Sequence, residues 1–135
     1  MLTVRQLIEI ARERGMTLVF ADEAWCRSRG LDVEDFRNRS YLIHPEIQVG
    51  MYEDHELLAA SVFHELGHAL THTDFGLQNE TDTNAVWSAT FESYAWLRGF
   101  ALAYHHGVTF SPHAYEWAAK QLATHIRSSC ADCRV

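Results

Sequence analysis

Residues 54–72, DHELLAASVFHELGHALTH, decide the reading of this chain. Asp54 is suited to cap a helix in which Leu57, Leu58, Val62 and Phe63 form one apolar face while His64 and His68 fall on another. The spacing predicts a helix over about residues 55 to 71. Inside it, His64-Glu65-Leu66-Gly67-His68 is an HExxH motif. Residues four apart on a helix stack on one face, so both imidazoles can reach one ion, and Glu65 stands beside them. Zinc held by three protein ligands keeps a fourth position for water and lowers the pKa of that water to about 7. An adjacent carboxylate then takes the proton as the water attacks a carbonyl. These residue types point to amide hydrolysis at Zn2+, with His64 and His68 as metal ligands and Glu65 as catalytic base.

Such a site needs a third ligand. His72 lies one turn further along the same face, but a straight helix cannot bring three successive turns to one ion about 2 Å from each nitrogen. Asp74 stands at the spacing of the last ligand in metzincin-like motifs, which turn the chain at a Gly where this sequence has Thr71. Asp74 is therefore the second choice. Glu92 is the first. It lies on a long predicted helix whose face of small residues, Ala85, Ser88, Ala89, Ala95, Gly99 and Ala103, is interrupted mainly by Trp96. Small side chains allow helix axes to approach at the low end of the usual range of about 8–10 Å, and Gly67 offers the matching low spot in the motif.

Working outward, Thr3 and Gln6 form a capping-box signature before a helix of residues 4 to 14 that stops at Gly15. Residues 16 to 20, MTLVF, read as a strand. Residues 21 to 40 are polar and mixed in sign, with a break at Gly30 and a short helix near Val33 to Phe36. Extended pieces at Tyr41–His44 and Ile47–Gly50 flank Pro45, which favours an edge strand or hairpin in a small sheet of two to four strands. Thr73 to Asn84 reads as a loop, and Thr83 or Asn84 can cap the long helix, which reaches about Tyr104 and ends at Gly107. Ser111-Pro112 opens a last helix through about Arg127. The sum is an α+β domain of about four helices and a small antiparallel or mixed sheet. The HExxH helix packs against the helix that carries the third ligand.

The 135 residues suit one domain, residues 1–128, followed by a tail at 129–135. A net charge of −7 disfavours direct binding to nucleic acid or anionic lipid. No stretch approaches the roughly 20 apolar residues of a membrane span, and charges interrupt the N-terminal apolar positions where a signal peptide would be continuous. Three cysteines do not make a disulfide framework, which points to the reducing cytoplasm. Cys130 and Cys133 form a lone CxxC, and with only Cys26 elsewhere they lack the second pair of a structural zinc site.

The pattern from the first helix through RSYLIHPEI and VFHELGHALTH to the helix carrying FESYAW resembles the ImmA/IrrE-type metallopeptidases, a gluzincin-like group, over about residues 1 to 105. The resemblance implies a compact zincin-like core. It also implies Zn2+ held by His64, His68 and Glu92 with Glu65 as base, and a protein substrate such as a repressor or a component of a toxin or phage module. Here Glu92 is followed by Ser93 and Tyr94 before Ala95, where the group has an Ala directly after the Glu. The other class the sequence admits is a non-catalytic interaction factor of such a module.

Donors for an oxyanion are offered by His44, Tyr41, Tyr52, Tyr94 and Tyr104, with nothing in residue type to choose among them. Residues 41 to 49 offer an edge to which an extended substrate could add as a strand. Trp87, Trp96 and Trp117 sit at helical positions suited to core or interface anchors, and His105-His106 closes the long helix where a cation suits its dipole.

Overall fold

The structure is a computed structural model that describes the backbone of residues 2–76 and 85–129 and the side chains of 2–76 and 89–125. The order is α1 (Val4–Glu13), β1 (Thr17–Phe20), α2 (Glu23–Ser28), a 3-10 turn (Val33–Phe36), β2 (Ser40–Ile43), β3 (Glu46–Val49), α3 (His55–Phe75), α4 (Ala85–His105) and α5 (Pro112–Ser129). The fold is α+β, as the sequence predicts: five helices with a three-stranded mixed sheet.

Strand order is β1-β3-β2, with β1 parallel and β2 antiparallel to β3. Ile47 and Val49 of the central strand are fully buried, and they meet Leu7, Ile10 and Ala11 of α1 and Val62, Phe63 and Leu66 of α3 in one core. The expected substrate edge is narrower than residues 41 to 49. Strand β2 is an edge, whereas β3 is hydrogen-bonded on both sides and has none to offer. The two join through a cis His44–Pro45 peptide.

Helix α3 is the axis of the molecule. Every residue from Leu58 to His68 is buried, so this segment is covered on all sides rather than along one stripe. Asp54 caps it by accepting from the backbone N–H groups of Glu56 and Leu57. Its first turn is tied to the start of α5, where the Glu56 carboxylate accepts from the backbone N–H of Ser111 at 3.2 Å and also from its hydroxyl. His113 meets Asp54 at 3.1 Å beside this tie. These bonds anchor α5 across one end of α3.

The sequence misreads two stretches. A helix absent from the reading, α2, forms where Asp22 accepts from the backbone N–H of Trp25 and caps a single turn and a half around buried Cys26. Helix α3 also continues past residue 71 to Phe75, so Thr73 and Asp74 are helical and not part of a loop. Thr71 is fully buried and donates its hydroxyl to the Gly67 carbonyl at 2.7 Å, which keeps the helix running until Gly76 stops it with φ 63°. The caps read at Thr83 and Asn84, the CxxC, and the tail read at 129–135 lie outside the described residues, except Ser129, which ends α5.

Helices α3 and α4 meet at backbone distance. A Cβ added to Gly67 would stand 1.9 Å from the Ala95 carbonyl oxygen, and one added to Gly99 would stand 2.4 Å from that of Phe63. Backbone cannot swing aside as a side chain can, so either methyl forces the helices apart. Gly67→Ala and Gly99→Ala should each lower stability by about 3 kcal/mol, the upper part of the overpacking range, in urea unfolding. A loss under about 0.5 kcal/mol, the level of an ordinary surface change, would refute the close approach.

Candidate metal centre

The helix spacing does what the motif requires. His64 and His68 project from successive turns of α3 with their Nε2 atoms 3.1 Å apart, and Glu65 lies beside them. The three residues are 8 %, 9 % and 6 % exposed, so this cluster of ligating side chains lies inside the protein. Their ligand atoms fall within 4.8 Å of one another. The small-residue contact at Gly67 and Gly99 brings α4 near enough for Glu92 to cross to them. Its Oε1 lies 2.7 Å from His64 Nε2 and its Oε2 lies 3.0 Å from His68 Nε2.

Electrostatics at Glu92 follow from this geometry. Burial pushes its pKa up, but the hydrogen bonds from His64 and His68 outweigh burial and hold the carboxyl well below the ordinary carboxylate value. Glu92 is therefore an anion facing two imidazoles. With both Nε2 protons directed at the carboxylate, the two nitrogens confront each other as donors at 3.1 Å with no acceptor between them. One cation in place of the two protons removes that conflict. His64 Nε2, His68 Nε2 and the two Glu92 oxygens converge at separations of 2.7–3.1 Å, somewhat shorter than the roughly 3.3 Å that tetrahedral zinc sets between ligand atoms, as suits groups that share protons. The donor set, two imidazoles and one carboxylate, fits Zn2+.

The outer support of the ligands is uneven. Metal-bound imidazoles usually donate their second N–H to an acceptor, yet His64 Nδ1 is buried with no hydrogen-bond partner among the described residues. Orientation comes instead from stacking on Trp96, whose ring lies 3.8 Å from that of His64 at an interplanar angle of 17°. Trp96, the main interruption read in the small-residue face, is thus the ring that stacks on His64.

Asp74, the second choice as third ligand, is engaged elsewhere. It accepts from the Tyr94 hydroxyl and from Arg98 Nε, both at 2.8 Å, which holds its carboxyl below the usual range and ties the end of α3 to α4. The chain does not turn at Thr71, so Asp74 is not carried back toward the imidazoles. His72 and His44 line a second cavity with Met16, Leu42 and Leu70.

The His64, Glu65, His68 and Glu92 side chains open into a cleft of about 580 Å³. Asn38, Arg39, Ser40 and Tyr41 line it from the start of β2, while Trp117, Gln121, Thr124 and His125 line it from α5. Of the five oxyanion candidates, Tyr41 and Tyr52 line this cleft. Tyr94 is bound to Asp74, Tyr104 is 75 % exposed, and His44 belongs to the second cavity. Sequence reasoning missed the α5 wall, although positions 117, 121, 124 and 125 are one helical face. It also missed Ser61, which lies one turn before Glu65 on the motif helix.

Zinc titration against a competing chelator should give one ion per chain. Glu92→Gln should weaken binding by at least about 100-fold, more than loss of an outer partner, while Asp74→Asn should leave it unchanged. Equal affinity in the Glu92→Gln protein and the parent would strike Glu92 from the ligand set. No family model matches the chain, and no curated protein or solved structure matches it, so the chemistry of the site is argued from its own donor atoms.

Proposed function

We propose that the protein is a zinc-dependent metallopeptidase of the ImmA/IrrE type, with His64, His68 and Glu92 holding Zn2+ and Glu65 as base. The observation that carries this reading is the Glu92 carboxylate, which crosses from α4 to meet both motif imidazoles. A chance HExxH on a surface helix would have no buried anion aimed at it from another element. A purely structural zinc site closes with four protein ligands, whereas three converge here and the cluster opens into the cleft.

A bound zinc ion supplies Lewis acidity toward water and the scissile carbonyl. The chain supplies the rest. Glu65 is buried beside the ligands, and its Oε1 accepts from Ser40 at 3.2 Å. Its Oε2 is then the atom to take a proton from the attacking water and return it to the departing amine. The wall formed by α5 shields this exchange from bulk solvent on the side facing β2.

The edge of β2 that does not pair with β3 offers backbone groups to an extended segment, and Ser40 and Tyr41 at its start line the cleft. An unfolded or extended stretch of a protein partner fits this arrangement better than a folded surface, and a repressor or a component of a toxin or phage module is the partner class proposed. No described helix is long and apolar enough to cross a membrane, and buried Cys26 is a free thiol, both consistent with the cytoplasmic location proposed here.

The test separates ligand from base. The Glu65→Gln protein should bind zinc as the parent does and lose hydrolysis of internally quenched peptides by about 10²–10⁴-fold, the usual contribution of a general base. Full activity in that variant would make the metal structural, and a zinc-free parent indifferent to chelator would leave only the interaction-factor reading.

A further inference from the structure

Ser61 behaves unlike four other hydroxyls on the described helices. Thr71, Thr73, Ser93 and Thr124 each donate to the carbonyl four residues earlier, the ordinary resting place of a helical hydroxyl. Ser61, only 2 % exposed, instead bonds outward to two other elements. Its Oγ accepts from the Tyr52 hydroxyl at 2.8 Å and contacts Ser40 Oγ. Ser40 in turn donates to Glu65 Oε1 at 3.2 Å.

The direction of this chain is fixed from both ends. Burial pushes Tyr52 up to about 12, against the lowering effect of its bond with Ser61, so the phenol keeps its proton at working pH and remains a donor. The carboxylate of Glu65 only accepts. Between them Ser61 accepts from Tyr52 and donates to Ser40, and Ser40 donates to Glu65. All four residues line the cleft. The chain also joins the start of β2, the segment after β3 and the motif helix at a single carboxylate oxygen.

We infer that Ser40, backed by Ser61 and Tyr52, is a positioning residue for Glu65: the hydroxyl chain holds Oε1 so that Oε2 faces the reacting water. The inference rests on the reading of Glu65 as base. At 3.2 Å the last bond is long for a hydroxyl and a carboxylate, as bonds in catalytic sites are before a substrate closes on them. A substrate strand added along β2 would press on the element that carries Ser40, which couples occupancy of the edge to the orientation of the base. None of the three hydroxyls is among the proposed ligands, so their removal should leave the metal in place.

Three variants test this in the full chain. S40A should lower kcat by about 10- to 100-fold on an internally quenched peptide, with KM and zinc affinity as in the parent. S40T, which keeps the hydroxyl on a strand, should recover most of that loss, and Y52F should cost less than S40A. A second readout needs no substrate. The infrared difference between parent and E65Q isolates the Glu65 carboxylate bands, and S40A should shift them while S40T does not. Unmoved bands in S40A, a kcat within twofold of the parent, or equal losses in S40A and S40T would each overturn the inference. A parent that hydrolyses nothing would count against the proposed function, and the infrared comparison would still decide whether Ser40 holds Glu65.

Discussion

Two helix backbones touch at Gly67 and Gly99, and the candidate metal centre depends on that contact. A glutamate side chain is short, and its carboxylate reaches the imidazoles of another helix only if the two axes run unusually close. A hydrogen in place of a methyl at these two positions permits it, with the Ala95 carbonyl occupying the space a side chain at Gly67 would fill. Glu92 lies on the same face of α4 as Ala95 and Gly99, at helical spacing. The proposed ligand and the packing that delivers it are therefore written on one stripe. A change that separates the helices would draw Glu92 away from the imidazoles without touching it.

Closeness has an electrostatic cost that the surroundings must offset. Three buried side chains capable of charge, together with a mostly buried Glu92, are an expensive group to place between two apolar helices. The helices that bear them bury Phe63, Leu66, Phe91, Ala95, Leu102 and Ala103 along their lengths. Local polarity set against a strongly apolar frame is the pattern of a site retained for function and carried by the rest of the core. The unpartnered Nδ1 of His64, held by stacking and not by a hydrogen bond, belongs to the same pattern.

Much of this was legible in the chain. Caps located α1, α3 and α5 because each begins with a strong local signal, Thr3 with Gln6, Asp54, or Ser111 before Pro112, while α4 was read from its small-residue face and from Gly107 beyond its end. The glycine in the motif and the small-residue face foretold the α3–α4 approach, since both follow from helix geometry alone. What failed was of two kinds. Helix α2 is too short for periodicity to register, and its one cue was the cap at Asp22. The cleft walls were missed for another reason: Ser40, Tyr52, Ser61 and the α5 face are brought together only by tertiary folding. Spacing can relate positions within a helix but not between a strand, a loop and a distant helix. Asp74, the second choice, is engaged by Tyr94 and Arg98 for a local reason visible in retrospect. Thr71 can satisfy itself on the Gly67 carbonyl and let the helix run on.

The cluster holds two glutamates, and their surroundings suit them to the different roles proposed for them. Glu92 receives bonds from two imidazoles, one on each oxygen, so neither oxygen is at liberty and both point where a cation would sit. Glu65 receives one bond, from a serine hydroxyl on one oxygen, and lies on the helix that also carries the imidazoles. A carboxylate tied at both oxygens suits a ligand, because charge and position are fixed. One tied at a single oxygen suits a base, because the other must gain and release a proton without losing its aim. Exchanging the two roles would require the imidazoles to face along their own helix instead of across to α4. The close contact at Gly67 and Gly99 then distinguishes the proposed ligand from the proposed base as well as bringing Glu92 within reach of the imidazoles.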